Sequence, residues 1–130
     1  MTRREAREQA FIVLFEKIFD EESTISEIVA AAKETELIKI NSFAENTLIA
    51  VEENFAEIDG IIEANSQDWT IARLPKVTLA ILRLAIAEIK YVEEVPNGVA
   101  VNEAVELAKK YGTNEDASFI NGVLGAVAKA

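Results

Sequence analysis

The sequence predicts an all-α fold of about seven helices in two packed sub-bundles, and three observations carry that expectation. Apolar residues recur at three- and four-residue spacing along most of the chain, the period of a helix with one buried face. Only two prolines and five glycines interrupt 130 residues. No stretch reads convincingly as a strand.

The first helix is expected from about Arg3 to Phe19, with Ala6, Ala10, Val13, Leu14 and Ile18 facing the core. Its basic opening opposes the helix dipole, which favours acids at an N-terminus, and Glu5 and Glu8 offset it. Thr24 and Glu27 have capping-box spacing and open a second helix carrying Ile25, Ile28, Val29 and Ala32. Ser42 and Glu45 repeat that spacing. They open a third helix, expected to run to about Asn65 along Phe43, Thr47, Ala50, Val51, Phe55, Ile58 and Ile62.

A short segment around Trp69–Leu74 follows. Pro75 suits the first turn of a fifth helix, about Lys76–Val92, because its missing N–H costs nothing there. Val77, Leu79, Ile81, Leu82, Leu84, Ala85, Ile86 and Ile89 make this helix apolar on nearly every side, as expected of the buried centre of a bundle. Val95-Pro96-Asn97-Gly98 breaks the chain again. The sixth helix is expected from about Val99 to Tyr111, with Gly112 as a natural C-cap. Thr113 or Asn114 can cap the seventh, about Glu115–Lys129, whose inner face holds Phe119, Ile120, Val123, Leu124 and Val127. Gly122 and Gly125 leave room for a neighbouring helix to approach. Residues 1–65 read as an N-terminal bundle and 66–130 as a C-terminal one, within a single domain jointed at Asn65–Leu74.

Composition narrows the function. Hydrophobic residues make up 50% and charged residues 28%, a globular balance. The longest apolar run, near Leu79–Ile89, is broken by Arg83 and Glu88 and falls short of the roughly 20 residues that cross a bilayer. The opening Met1-Thr2-Arg3-Arg4-Glu5 lacks the apolar segment of a secretion signal. There is no Cys and no His. Their absence removes disulfides, thiolate metal sites, the commonest metal ligand and the usual general base near neutral pH. The expectation is a cytoplasmic protein with no catalytic residue, no metal, no cofactor and no membrane contact. Asp20-Glu21-Glu22 and Glu93-Glu94 read as loop charge. A net charge of −10 repels phosphate, so any nucleic-acid binding must rest on a local basic site.

Four stretches carry a family resemblance. The chain opens Arg3-Arg4-Glu5-Ala6-Arg7-Glu8 and continues into Val13-Leu14-Phe15. Trp69 and Arg73-Leu74 precede Ala80-Ile81-Leu82-Arg83-Leu84-Ala85, with Glu88 a turn later. Val95-Pro96 leads into Val99-Ala100-Val101-Asn102-Glu103-Ala104-Val105-Glu106-Leu107-Ala108-Lys109-Lys110-Tyr111-Gly112. Phe119-Ile120-Asn121-Gly122-Val123-Leu124 closes the series. In this order, over almost the whole chain, they resemble the NusB family of transcription antitermination factors. The resemblance implies an all-α fold and binding of boxA, a short linear RNA element of ribosomal RNA leader transcripts. It also implies pairing with NusE, a small-subunit ribosomal protein, and an indirect link to the RNA polymerase elongation complex. Family members occur as monomers and dimers, which leaves a homodimer open. Thr78 stands where the family often carries an acid, and Asn97-Gly98 replaces what is often a bulkier or basic pair.

With the resemblance, Arg3, Arg4 and Arg7 are the expected RNA contacts. Guanidinium forks match phosphate oxygens, and Arg3 and Arg7 share a helix face at i,i+4 spacing. Phe15 can offer a stacking face to an unpaired base. Thr78, Glu115 and Phe119 are expected at the partner surface. Arg83, in the most apolar helix, needs a carboxylate, with Glu103 or Glu88 as the expected partner. Asn102, Glu103 and Asn121 read as polar anchors between helices. Two rival readings are an acidic helical interaction module that has lost useful RNA binding and the RNA-binding part of a ribosomal RNA methyltransferase. No glycine-rich cofactor loop is visible for the latter.

Overall fold

In a computed structural model, which describes residues 1–35, 39–67 and 69–129, seven α-helices follow one another. They are α1 (Arg3–Phe19), α2 (Ile25–Glu34), α3 (Ser42–Glu53), α4 (Phe55–Asn65), α5 (Lys76–Tyr91), α6 (Asn97–Tyr111) and α7 (Asn114–Lys129). A turn of 3-10 helix at Ile71–Arg73 leads into α5, and there is no strand among the described residues. Asp68, within the expected joint, lies outside the described residues.

Side-chain caps fix most starts. Thr2 with Glu5 and Thr24 with Glu27 form reciprocal capping boxes on α1 and α2. At α7, the Thr113 hydroxyl accepts from the Asp116 N–H at 3.1 Å, and the Asp116 carboxylate accepts from the Thr113 N–H at 2.9 Å. The expected box at Ser42 and Glu45 is not the one formed. Asn41 caps α3, its side-chain oxygen accepting from the Phe43 N–H at 2.8 Å. Pro75 stands one place earlier than expected, as the N-cap residue of α5 with ψ of 143°, and Pro96 holds the same place before α6 with ψ of 141°, so that α6 starts at Asn97, two residues before the expected Val99.

The third helix of the sequence reading is two helices. Asn54 leaves helical geometry at φ −124° and ψ 26°, and its amide donates back to the Ala50 carbonyl at 2.9 Å. That local bond competes with helix propagation. Gly112 ends α6 in extended backbone. Its role is close approach: a Cβ there would fall 2.7 Å from the Asp116 carboxylate that caps α7. Gly122 and Gly125 have no such role, since a Cβ on either would meet nothing within 4 Å.

Helix α5 is the centre. Every residue from Thr78 to Glu88 is buried. Helices α1, α3, α4, α6 and α7 all pack on it, α2 closes against α1 and α3, and α6 pairs with α7. One continuous apolar cluster runs from Ala6 to Val127. Helix α4 packs on α5 and α7 as well as on α3. Arg83 fastens that arrangement. Its guanidinium is forked onto Asp59 of α4, with both bonds at 2.9 Å, and lies 4.4 Å from the centre of the Phe55 ring. The expected partners Glu103 and Glu88 are engaged elsewhere. The break at Asn54 turns Asp59 toward α5, which a single long helix would not reveal.

Two predictions follow from the packing. Ile86→Ala on α5 should cost about 2–5 kcal/mol and lower the urea midpoint, because it leaves a hole in a closed core. Ile49→Ala, at a residue 42% exposed, should stay within about 0.5 kcal/mol. A second test uses pH. Hydrogen bonds from the Ser26 hydroxyl and N–H hold the Glu52 carboxyl below its ordinary 4.5. A depressed folded value means the stabilisation is present above 4.5 and lost as pH falls through that folded value. The stability difference between wild type and Ser26→Ala should therefore shrink on acidification below 4.5, as read by thermal melts across pH.

Candidate nucleic-acid interface

The start of α1 lies across α5 and α6, and its three arginines meet different fates. Arg7 is buried at 4% exposure, and its Nε donates to both oxygens of Glu88 on α5, at 2.9 and 3.2 Å. Burial pushes the Glu88 carboxyl above the ordinary carboxylate range, against the opposing pull of the Arg7 charge. Arg7 therefore corrects the sequence expectation. It does share a face with Arg3, but one turn further in, where Phe43 and α5 cover it.

Arg3 and Arg4 stay at the surface. The Arg3 side chain is 50% exposed, 3.2 Å from Glu94 and 4.3 Å from the centre of the Phe43 ring. The Arg4 side chain is 63% exposed and forked onto Glu103 of α6 at 3.0 and 3.1 Å. That hydrogen-bonded carboxylate raises the Arg4 pKa further. A groove of about 260 Å³ between α1 and α6 is lined by Arg4, Glu8, Glu103, Glu106 and Lys110, among others; in it Lys110 meets Glu8 at 2.7 Å, and beside it Lys109 lies 3.6 Å from Glu106. Hydrogen bonding from Lys110 holds the Glu8 carboxyl below its ordinary value.

Beside this patch an open groove of about 630 Å³ runs between α6 and α7, where Arg4, Lys109, Asn102 and Asn121 share the lining with the carboxylates of Glu103 and Glu106. Asn102 and Asn121 are exposed side chains of the groove rather than the helix-joining anchors expected from sequence. Glu103 does link two helices, through Arg4. Side-chain amides both donate and accept, so the groove offers guanidinium and ammonium groups for phosphate and amides for base edges.

Phe15 is half-buried in an aromatic ladder. Ring centres are 4.8 Å apart for Tyr111–Phe11, 5.9 Å for Phe11–Phe15 and 5.1 Å for Phe15–Phe19. Phe19 at 64% exposure and Tyr111 at 37% are its open ends. Sequence reasoning missed both, although Phe11, Phe15 and Phe19 repeat at four-residue spacing.

Of the expected partner residues, Thr78 is separated from the other two. Thr78 is 1% exposed, and its hydroxyl has no hydrogen-bond partner among the described residues. A side chain enclosed this far cannot touch a partner, although Lys76, two residues earlier in the same turn, is exposed. Glu115 is exposed in the first turn of α7, and half-buried Phe119 follows one turn later. Phe119 lines a groove of about 430 Å³ with Trp69, itself 48% exposed and unforeseen as a surface residue. Among the described residues no group of three or more His, Cys, Asp or Glu is placed to hold a metal ion, and no helix is long and apolar enough to cross a membrane.

The buried pair makes a prediction separable from binding. Arg7→Ala should cost about 3–5 kcal/mol, since it strands the Glu88 carboxyl without its partner. Arg3→Ala and Arg4→Ala should leave the urea midpoint essentially unmoved, because exposed ion pairs contribute little.

The sequence profile described as the NusB family matches residues 4–129. The chain is 42% identical over 134 aligned residues to the transcription antitermination protein NusB of Clostridium novyi, covering 100% of each. Its fold is similar to a NusB of T. maritima, with TM-score 0.87 and 30% identity over 99% of this chain and 92% of that one. It is also similar to a chain of a structure of the antitermination factors NusB and NusE in complex with double-stranded RNA, with TM-score 0.84 and 31% identity over 99% of this chain and 98% of that one. With a family match running nearly end to end, the chain belongs to the NusB family.

Proposed function

We propose that this chain is a transcription antitermination factor that binds boxA-type RNA of ribosomal RNA leader transcripts together with NusE and so keeps RNA polymerase elongating. The observation that carries the reading is the pair of exposed guanidinium groups, Arg3 and Arg4, set beside a polar groove in a chain whose relative was solved with NusE and RNA. Arg3 and Arg4 hold phosphates. Asn102 and Asn121 meet base edges. The open end of the Phe15–Phe19 ladder offers a stacking face, and Glu115 and Phe119, with Trp69, form a surface for the protein partner. NusE provides the link to the elongation complex. The role involves no covalent step and is exercised in the cytoplasm. Residues 1–130 work as one unit whose halves, 1–65 and 66–130, share the α5 core, and self-association into a homodimer is compatible with it.

The charge of −10 does not defeat this reading. At physiological ionic strength the Debye length is about 8 Å. Charges farther than that from the ligand are largely screened, so the groups nearest the site decide.

A fluorescence-anisotropy titration tests it, using boxA RNA, a scrambled RNA and a duplex of the same sequence, each with and without NusE. The expected result is a preference for boxA that NusE strengthens. No preference and no gain from NusE, even at low salt, would leave an acidic helical interaction module in its place.

A further inference from the structure

The exposed cations in and beside the α1–α6 groove already hold a carboxylate of their own chain. Arg3 has Glu94, Arg4 has Glu103, Lys110 has Glu8 and Lys109 has Glu106. Among the described residues, four of the seven ion pairs crowd into this one patch, and the buried Arg7–Glu88 pair lies against it as a fifth. The Arg4–Glu103 contact is a two-bond fork. That is also the geometry in which a guanidinium receives phosphate. A phosphate and Glu103 cannot both occupy the same edge of Arg4. Nor can Glu103 retreat far: its side chain is only 19% exposed, seated between α1 and α6.

We propose that Glu94 and Glu103 gate RNA binding: they occupy Arg3 and Arg4 in the free protein, and RNA enters by exchanging their carboxylates for its phosphates. The inference rests on the RNA-binding reading above and adds the residues that set its threshold. Exposed ion pairs are weak, so the exchange is readily reversible. Once displaced, each carboxylate remains charged beside the incoming backbone and recovers a counterion from solution. Phosphate contact alone therefore gains little. RNA is held only where base contacts in the Asn102–Asn121 groove, or NusE, add to it. This allows an acidic protein to ignore most RNA while keeping a basic contact for the right one.

The exchange has a distinctive salt signature. A phosphate that neutralises an unoccupied cation on a single strand contributes about −0.7 to the slope of log affinity against log salt. A phosphate that replaces a carboxylate contributes much less, because the counterion released from RNA is taken up by the freed carboxylate. Glu103→Gln and Glu94→Gln keep the shape and remove the charge. Each should tighten RNA binding by about two- to fivefold at low salt and steepen the slope by up to about 0.7.

The experiment is a salt series of anisotropy titrations with boxA and scrambled RNA on the full chain, its helical circular-dichroism signal checked in each variant. Glu103→Gln and Glu94→Gln are compared with wild type, and Glu103→Gln is repeated in an Arg4→Ala background. Glu45→Gln, which frees Lys33 between α2 and α3, controls for net charge. Tighter binding with a steeper slope in both gate variants, lost in the Arg4→Ala background and absent in Glu45→Gln, supports the gate. So does binding that appears only once both carboxylates are gone. If Arg4→Ala weakens binding but Glu103→Gln leaves it unchanged or weaker, RNA binding stands and the gate is overturned. An equal gain from Glu45→Gln also overturns it, in favour of bulk charge. If wild type and the Glu94→Gln, Glu103→Gln double variant both fail to bind at low salt, the RNA-binding reading itself is lost.

Discussion

The buried pair between Arg7 and Glu88 is the constraint on which the interface depends. Two charges taken out of water survive only when each satisfies the other, and here one guanidinium nitrogen bridges both carboxylate oxygens. The pair ties α1 to the middle of the molecule. Because Arg7 is fixed, the preceding turn is fixed too, and Arg3 and Arg4 emerge at set positions over Phe43 and α6. The same sequence motif thus supplies an anchor and two surface cations, and the division between them is made by depth along one helix face.

That arrangement reconciles an acidic chain with a nucleic-acid role. The protein does not build a broad positive field. It places a few cations close together, each beside a carboxylate of its own chain, and charge more than a Debye length away is largely screened. Each of those cations is paired at rest, so the patch is near neutral until a ligand competes. Affinity in such a design comes from many small terms, and a second protein on the same RNA becomes a natural way to raise it.

Much of the fold was legible because its signals are local. The all-round apolar character of Val77–Ile89 marked the central helix, and Thr24 with Glu27 marked a helix start. Where the outcome turned on what lies opposite a residue, periodicity was silent. It placed Arg7 on the face of Arg3 but could not tell that Phe43 and Glu88 would cover it. It placed Thr78 near a helix start without revealing that this side chain is buried while Lys76 beside it is exposed. Asn54 broke a helix through one side-chain bond to Ala50 that composition does not advertise, and that break decided which carboxylate Arg83 would find. The functional assignment was carried by ordered family motifs spanning the chain; from composition alone, the −10 charge argued the other way.

The most direct test of the central claim is to map where RNA touches. Backbone amide shifts of the labelled chain, followed as boxA RNA is added in the presence of NusE, report this residue by residue. Perturbations are expected to centre on Arg3 and Arg4 and to spread to Phe43 at the start of α3 and to Asn102 and Asn121, with α2 and the rest of α3 unchanged. Perturbations gathered on α2 and α3, with the opening turn of α1 unmoved, would contradict that claim.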